Sequence, residues 1–167
     1  YARDDAQRLR WVGVSRPAGQ DVSQRLCANL AAPPEGGREF TLYLPLYNGV
    51  ERLELGVPEG ATLTPLPPRD TKPIVVYGTS IAHGACASRP GMAWPALLSR
   101  DIDREVVNLG FSGNGRMEPE VCEHVGAIDA AAFVIDCLPN MSAAQVQART
   151  APLVRQLRRA RPDAHIL

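Results

Sequence analysis

The sequence predicts an α/β protein with a parallel sheet, preceded by a small all-β domain, and three observations support this. From residue 72 onward, nearly continuous apolar runs alternate with segments of helical periodicity, which is typical of parallel strands covered by helices on both faces. Residues 1–68 hold short β-like runs separated by turn signals. The proline-rich residues 65–70 between them are typical of a linker. We therefore predict a jelly-roll-like β-sandwich over residues 1–68 and an α/β domain over residues 69–167.

The clearest β pattern of the N-terminal domain lies on both sides of an Asn-Gly pair, Asn48-Gly49. Apolar and polar residues alternate over residues 39–46, and a second β-like run covers residues 50–57. Two such runs joined by an Asn-Gly turn are typical of an antiparallel hairpin. A shorter β-like run covers residues 11–14.

The α/β domain is predicted to contain four parallel strands. Pro152 stands inside the last helical segment and is predicted to break it, because proline removes a hydrogen bond from a helix interior. A fourth strand begins at residue 165, and the open edge there leads us to expect more polypeptide, a second chain or another copy beside it. The predicted strands cover residues 73–77, 105–109, 131–136 and 165–167, and the predicted helices cover residues 92–100, 119–125 and 142–159.

Composition and charge exclude several function classes. The chain of 167 residues has 18 basic and 18 acidic side chains, so its net charge is zero and favours neither nucleic acid nor an anionic membrane as a partner. No apolar run approaches the about 18 residues of a membrane span. The four cysteines have no zinc-ligand spacing, and we predict that they are buried free thiols. No metal or organic cofactor is predicted.

Three polar or small residues follow three neighbouring predicted strands. Ser80 ends the first strand, Gly113 follows the second and Asn140 follows the third. The carboxyl ends of parallel strands lie at one edge of a sheet, where ligands bind. A serine nucleophile, a glycine N–H and a neutral amide donor are groups that acyl transfer requires. The pattern therefore indicates ester hydrolysis.

These segments resemble the first three motif blocks of the SGNH (GDSL-like) hydrolase superfamily. The blocks are Gly-Thr-Ser at residues 78–80, Asn-Leu-Gly-Phe-Ser-Gly at residues 108–113, and Pro-Asn-Met at residues 139–141. The resemblance covers residues 39–167 and extends to the subgroup with an N-terminal β-sandwich. It implies a flavodoxin-like three-layer fold and an acyl-serine intermediate.

The resemblance also implies a role for each site residue. Ser80 would be the nucleophile, and its N–H, the N–H of Gly113 and the side chain of Asn140 would form the oxyanion hole. Separately from the resemblance, Thr79, His83 and Asn114 lie close to these residues in the sequence and are interpreted as pocket lining.

The sequence departs from the superfamily pattern at several points. Thr79 stands where the superfamily usually has Asp, and the third block reads Pro-Asn-Met where Gly-x-Asn-Asp is commoner. The Asp-x-x-His block that supplies the catalytic histidine and its orienting Asp does not occur in these residues. We expect that block to lie beyond residue 167.

Each assignment has a structural alternative. Ser80 could cap the helix that follows it, and Asn140 could cap the helix that begins near Ser142. His83 is the histidine nearest to Ser80 in sequence and is interpreted as pocket lining rather than as the base. His124 and His165 are interpreted as structural.

The predicted function is that of a serine esterase acting on short acyl esters, with an acetylated carbohydrate as the substrate that the resemblance suggests. The alternative is a degenerate hydrolase or non-catalytic carbohydrate-binding module that lacks a catalytic base. The predicted partner is thus a small-molecule or carbohydrate ester, with no role for nucleic acid or membrane.

Overall fold

The computed structural model describes all residues from 1 to 167. It contains two compact units, residues 1–44 and residues 45–167. None of the helices combines the length and hydrophobicity that crossing a bilayer requires. The strands are β1 (Ala2–Arg3), β2 (Leu9–Arg10), β3 (Ile74–Gly78), β4 (Val106–Gly110), β5 (Ala132–Asp136) and β6 (His165–Ile166), and the α-helices are α1 (Ser80–His83), α2 (Trp94–Asp101), α3 (Pro119–Ala127) and α4 (Ala143–Ala160).

The second unit is built on a parallel sheet in the order β4-β3-β5-β6. This confirms the predicted α/β fold, and every predicted strand is present within one or two residues. Gly78, the last residue of β3, is in register with Gly110 of β4 and with Asp136 of β5. The three strands therefore end together, and the segments that follow them leave the sheet at one edge.

The core lies between the sheet and the helices α3 and α4. Val75 and Tyr77 of β3 and Phe133 of β5 are fully buried, and they pack with Leu153 and Leu157 of α4. Burying apolar side chains of this size stabilises the fold by about 1.5–3 kcal/mol each. The strand that precedes Ser80 is therefore part of a well-packed core.

One continuous helix covers residues 143–160, so the predicted break at Pro152 is wrong. A capping box starts this helix, in which the Ser142 side chain accepts from the Gln145 N–H while the Gln145 side chain accepts from the Ser142 N–H. Proline in a helix interior costs about 3 kcal/mol. The burial of Leu153 and Leu157 against the core offsets this cost.

The N-terminal unit contains a small antiparallel pair, β1 and β2. The predicted hairpin over residues 39–57 is not formed, and residues 11–14 form no strand either. Apart from one isolated bridge between Ala2 and Phe40, residues 39–57 have no strand partner. Most of their apolar side chains are substantially exposed, so little apolar burial is present to fix a strand register there. The complete β-sandwich and the domain boundary at residue 68 stay predictions.

Candidate active site

Ser80 is the first residue of α1, immediately after β3. The residue that caps this helix is Thr79, whose buried side chain accepts a hydrogen bond from the Ile81 N–H at 3.3 Å. The alternative that Ser80 is the cap is therefore wrong. The Ser80 carbonyl accepts bonds from the Gly84 and Ala85 N–H groups, at 3.0 and 2.9 Å. The backbone of Ser80 is thus fixed by its own helix.

Backbone hydrogen bonds tie the ends of β4 and β5 to the end of β3. The N–H of Phe111, after β4, donates to the Gly78 carbonyl at 2.8 Å, and the N–H of Thr79 donates to the Asp136 carbonyl of β5 at 3.2 Å. The loop after β4 then returns to the end of β3, where the Gly115 backbone lies close to Gly78. A Cβ on Gly115 would lie 2.1 Å from the Gly78 carbonyl oxygen. Only glycine allows this approach.

The side chain of Asn108 links β4 to α1. Its side-chain amide donates to the Ala82 carbonyl at 2.8 Å and its side-chain oxygen accepts from the Gly110 N–H at 2.9 Å. A Cβ on Gly110 would lie 2.0 Å from the backbone nitrogen of His83. The Asn-Leu-Gly part of the second motif block therefore supports the helix that carries Ser80.

Gly113 lies in the exposed loop after β4, with a φ of +75°. No atom lies within 4 Å of the position that its Cβ would occupy. The Arg116 guanidinium donates to the Gly113 carbonyl at 2.8 Å. The Gly113 backbone is therefore held from its carbonyl side, and no side chain blocks the approach to it.

Asn140 ends a short 3₁₀ segment, Leu138–Asn140, after β5. Its side-chain amide donates to the carbonyl of Asn114 at 2.6 Å. The structure therefore brings Asn140 together with the loop that carries Gly113 and Asn114. The cap of the following helix is Ser142, so the alternative assignment of Asn140 as that cap is wrong.

His83 is the histidine nearest to Ser80 along the chain, three residues further on α1. Its Nε2 contacts the Leu46 carbonyl, and its ring stacks on that of Tyr47 with centroids 4.2 Å apart. A carbonyl oxygen only accepts hydrogen bonds, so Nε2 is the donor in this contact. His124 is exposed near the end of α3, and His165 pairs with Ala132 at the opposite end of β5 from the site.

Residues 45–47 reach this site although the sequence analysis assigned no site residue to them. Their signal was hidden because residues 45 and 46 lie within the alternating run that predicted a hairpin strand, and Tyr47 lies in the turn predicted to follow it. Besides stacking on His83, Tyr47 places its hydroxyl 3.5 Å from the Ser112 Oγ. An aromatic residue thus lies at the edge of the candidate site.

Beneath the site, Tyr77 and Glu118 form a hydrogen-bonded pair. The Tyr77 hydroxyl donates to Glu118 Oε2 at 2.5 Å, and the Arg116 N–H donates to the same oxygen at 2.7 Å. Burial, reinforced by this bond, raises the pKa of Tyr77 far above its ordinary value. Burial alone would raise the pKa of Glu118, but the bonds from Tyr77 and Arg116 outweigh it and lower that pKa. The pair anchors the loop after β4 to β3.

The four cysteines are free, but only two of them lie in the core. Burial raises the pKa of Cys137 to about 12 and that of Cys122 to about 11. Both are thus poor nucleophiles at neutral pH. Cys27 is half-buried and Cys86 is exposed, so the prediction that the thiols are buried is wrong for Cys86.

A cavity of about 100 Å³ lies between α3 and α4, lined by residues such as Cys122, Pro152 and Leu153. None of the predicted site residues lines it. No group of three or more His, Cys, Asp or Glu side chains is arranged to hold a metal ion.

Comparison with known families bears on the same residues. Residues 71–167 match the model of the GDSL-like lipase/acylhydrolase family, and residues 1–63 match the N-terminal domain model of SGNH-hydrolase-type esterases. The chain belongs to the GDSL-like lipase/acylhydrolase family. This confirms the resemblance found in the sequence and makes esterases and acylhydrolases the relatives of this chain.

A solved structure from Bacteroides ovatus ATCC 8483, described as a GDSL-like lipase, is similar to this chain. The similarity extends over nearly the whole length of this chain. The two are 43% identical with a TM-score of 0.92, and the match covers 99% of this chain. The chain spans about half of that protein, since the match covers 48% of it. The sequence matches no curated protein.

Two more distant structures share the fold. One is the salicylyl-acyltransferase SsfX3 of a tetracycline biosynthetic pathway, with 21% identity and a TM-score of 0.52 over 59% of this chain and 29% of that chain. The other is a family two carbohydrate esterase from Clostridium thermocellum in complex with cellohexaose. It has 17% identity and a TM-score of 0.51 over 62% of this chain and 44% of its own.

Proposed function

We propose that this chain carries the nucleophile and the oxyanion donors of a serine ester hydrolase that acts through an acyl-serine intermediate. The observation that carries the proposal is the joint ending of β3, β4 and β5 around Ser80. The hydrogen bond between Asn140 and Asn114 connects two of the three segments that leave these strands. Membership of an esterase and acylhydrolase family supports the same chemistry.

The reaction would proceed in two steps. Ser80 Oγ attacks the ester carbonyl while a general base takes the hydroxyl proton, and the resulting tetrahedral intermediate collapses as the base returns that proton to the leaving alcohol. Water, activated by the same base, then attacks the acyl-serine and releases the carboxylic acid and the free serine. Each step places negative charge on the former carbonyl oxygen.

The donors proposed for this oxygen are the N–H groups of Ser80 and Gly113 and the side chain of Asn140. The open space around Gly113 lets a substrate approach its backbone. The Asn140 amide has two N–H bonds, of which one is directed at the Asn114 carbonyl. The second is available to the substrate, so Asn140 can hold the loop and donate to the oxyanion at once.

We assign His83 to the pocket wall and not to the base. Its Nε2 proton is directed at the Leu46 carbonyl, and stacking on Tyr47 fixes the ring plane. The role of base belongs, in this proposal, to the histidine of the family's Asp-x-x-His block. Thr79 and Asn114 remain assigned to the pocket lining.

The proposed substrate is a short acyl ester, and an acetylated carbohydrate is the first to test. One structural neighbour is described as a carbohydrate esterase in complex with cellohexaose. That likeness reflects the fold alone, so the substrate class rests on this description and on the family resemblance.

The deciding experiment measures hydrolysis of p-nitrophenyl acetate and of an acetylated oligosaccharide by the complete protein, which in this proposal includes the Asp-x-x-His block that supplies the base. We expect Ser80→Ala to abolish turnover and Ser88→Ala, a matched change at an exposed serine on the following loop, to leave it unchanged. Unchanged activity in Ser80→Ala would overturn the proposal. Sugar binding without turnover in the unmodified protein would instead favour the non-catalytic module.

A further inference from the structure

We propose that Tyr47 is a positioning residue that couples α1, the helix of the nucleophile, to the loop that carries Gly113. The inference rests on the proposed esterase function and deepens it. Tyr47 belongs to the part of the sequence that matches the N-terminal model, residues 1–63, yet in the structure it belongs to the compact unit of residues 45–167. A residue from outside the matched hydrolase segment thus reaches the candidate active site.

On one side, residues 45–47, here called the strap, lie against α1. The Leu46 carbonyl contacts His83 Nε2, and the Tyr47 ring stacks on the imidazole with an angle of 24° between the planes. The Leu46 side chain occupies the space next to Gly84, where an added Cβ would lie 2.7 Å from Leu46 Cδ1. The end of α1 and the strap are therefore packed closely together.

On the other side, the Tyr47 hydroxyl lies 3.5 Å from Ser112 Oγ, at the outer limit of hydrogen bonding, so the contact is weak. Ser112 directly precedes Gly113, whose carbonyl is held by Arg116 at 2.8 Å. The Gly113 N–H thus lies between a contact from Tyr47 and a contact from Arg116. Tyr47 is the residue that connects this peptide to the helix of Ser80.

The Tyr47 hydroxyl adds a contact on the Ser112 side of this loop, whose Gly113 and Asn114 carbonyls are bound by Arg116 and Asn140. Ser112, Gly113 and Asn114 are all exposed, and no atom lies within 4 Å of the position that a Cβ on Gly113 would occupy. Oxyanion donors act only when they are fixed in advance, and a displacement of about 1 Å can cost about 100-fold in rate. A hydroxyl that restrains Ser112 should therefore act on the catalytic step more than on substrate binding.

The test compares Tyr47→Phe, Ser112→Ala and the double variant, each made in the complete protein with its Asp-x-x-His block, in the hydrolysis of p-nitrophenyl acetate. Loss of one hydroxyl contact should lower kcat about three- to tenfold, with KM unchanged within about twofold. The double variant should lose no more than either single variant, because all three remove the same contact. Tyr47→Ala, which also removes the ring from His83, should lower kcat further, by up to about 100-fold.

Tyr43→Phe is the matched control, since it removes the same hydroxyl from a tyrosine in the other compact unit, and it should behave as the unmodified protein. A raised KM with unchanged kcat in Tyr47→Phe, additive losses in the double variant, or wild-type kinetics would each overturn the proposal.

Amide hydrogen exchange separates this proposal from the esterase assignment. The Asn114 N–H donates to the Phe111 carbonyl at 3.0 Å, so its exchange reports the order of the loop. Tyr47→Phe should exchange faster at Asn114 than the unmodified protein does, while Tyr43→Phe should not. If the unmodified protein hydrolyses no ester, the esterase function fails, and exchange alone decides: faster exchange supports the coupling by Tyr47 and unchanged exchange overturns it.

Discussion

β3 and residues 50–57 are two apolar-rich runs in the same chain, and only β3 forms a strand. Val75, Val76 and Tyr77 of β3 are fully buried between neighbouring strands and helices. In residues 50–57, Leu53 and Leu55 are about half exposed, at 53% and 50%. A continuous apolar run is stabilised on both faces by its own βα units, whereas an alternating run needs a second surface to cover its apolar face.

This difference also separates the two family matches. The region of residues 71–167 holds the sheet, the core and every residue proposed for chemistry. The region of residues 1–63 contributes the strap, which contacts α1 and the loop after β4. The proposed site thus lies on the region that holds the core, and a segment of the other region contacts it.

The largest expected difference between the two regions is the loss of stability when a phenylalanine in each is replaced by alanine. Phe133→Ala removes a fully buried ring from β5 and should lower the free energy of unfolding by about 3–5 kcal/mol. Phe40→Ala, at a side chain that is 44% exposed, should lower it by less than about 1 kcal/mol. Urea unfolding of both variants checks the comparison, and equal losses would break it.

The next largest effect concerns the oxyanion donors. Asn140→Ala should lower kcat about 100- to 1000-fold, equivalent to about 2.7–4 kcal/mol, because it removes a fixed donor. KM should change little, since the bond is strongest in the transition state. Steady-state kinetics check this, and a rate within about threefold of the unmodified protein would assign Asn140 to holding Asn114 alone.

The sequence predicted the strands and their ends well, but it did not predict the continuous helix α4. The apolar runs of β3 and β5 located the strands within one or two residues, and the strand ends placed Ser80, Gly113 and Asn140 at one edge. The continuity of α4 through Pro152 was not predictable from local preference, because it depends on tertiary burial of Leu153.

The contacts of Tyr47 were hidden for a different reason. No local pattern reports a side-chain stack between residues 36 positions apart, such as that of Tyr47 on His83. The Asn-Gly pair at residues 48–49 indicated a hairpin turn, but the runs beside it do not pair. Motif order therefore predicts the backbone of the site better than it predicts the side chains around it.

A smaller effect concerns the loss of folding stability at alkaline pH that the buried thiol of Cys137 should cause. Burial raises the pKa of Cys137 from 9.0 to about 12. Below pH 9.0 both the folded and the unfolded state keep the thiol proton, so this group causes no loss of stability. Between pH 9.0 and about 12 the unfolded chain loses the proton while the folded chain keeps it, so stability falls as the pH rises.

Urea unfolding at pH 8 and pH 10.5 under reducing conditions checks this sign. Cys137→Ala should lose less stability between the two pH values than the unmodified protein does. Cys27→Ala, at a thiol that is not buried in the core, should lose as much as the unmodified protein. Equal losses in all three proteins would contradict a contribution of Cys137 to the fall in stability at alkaline pH.

The smallest effect is expected in the exposed run. Leu55→Thr should change the free energy of unfolding by no more than about 0.5 kcal/mol, because the side chain is already half exposed. Thermal unfolding measures this change. A loss of 2 kcal/mol or more, on the order of a buried side chain, would show that residues 50–57 are covered and that the contrast with β3 is weaker than described.

The central claim is that three strand ends direct their donors at one oxygen beside Ser80. A crystal structure of the protein after reaction with a fluorophosphonate probe tests it most directly, because the phosphoryl oxygen takes the place of the oxyanion. The account predicts an adduct on Ser80 Oγ, with that oxygen about 2.7–3.1 Å from the Ser80 nitrogen, the Gly113 nitrogen and Asn140 Nδ2. No adduct on Ser80, or an oxygen directed away from Gly113 and Asn140, would contradict it.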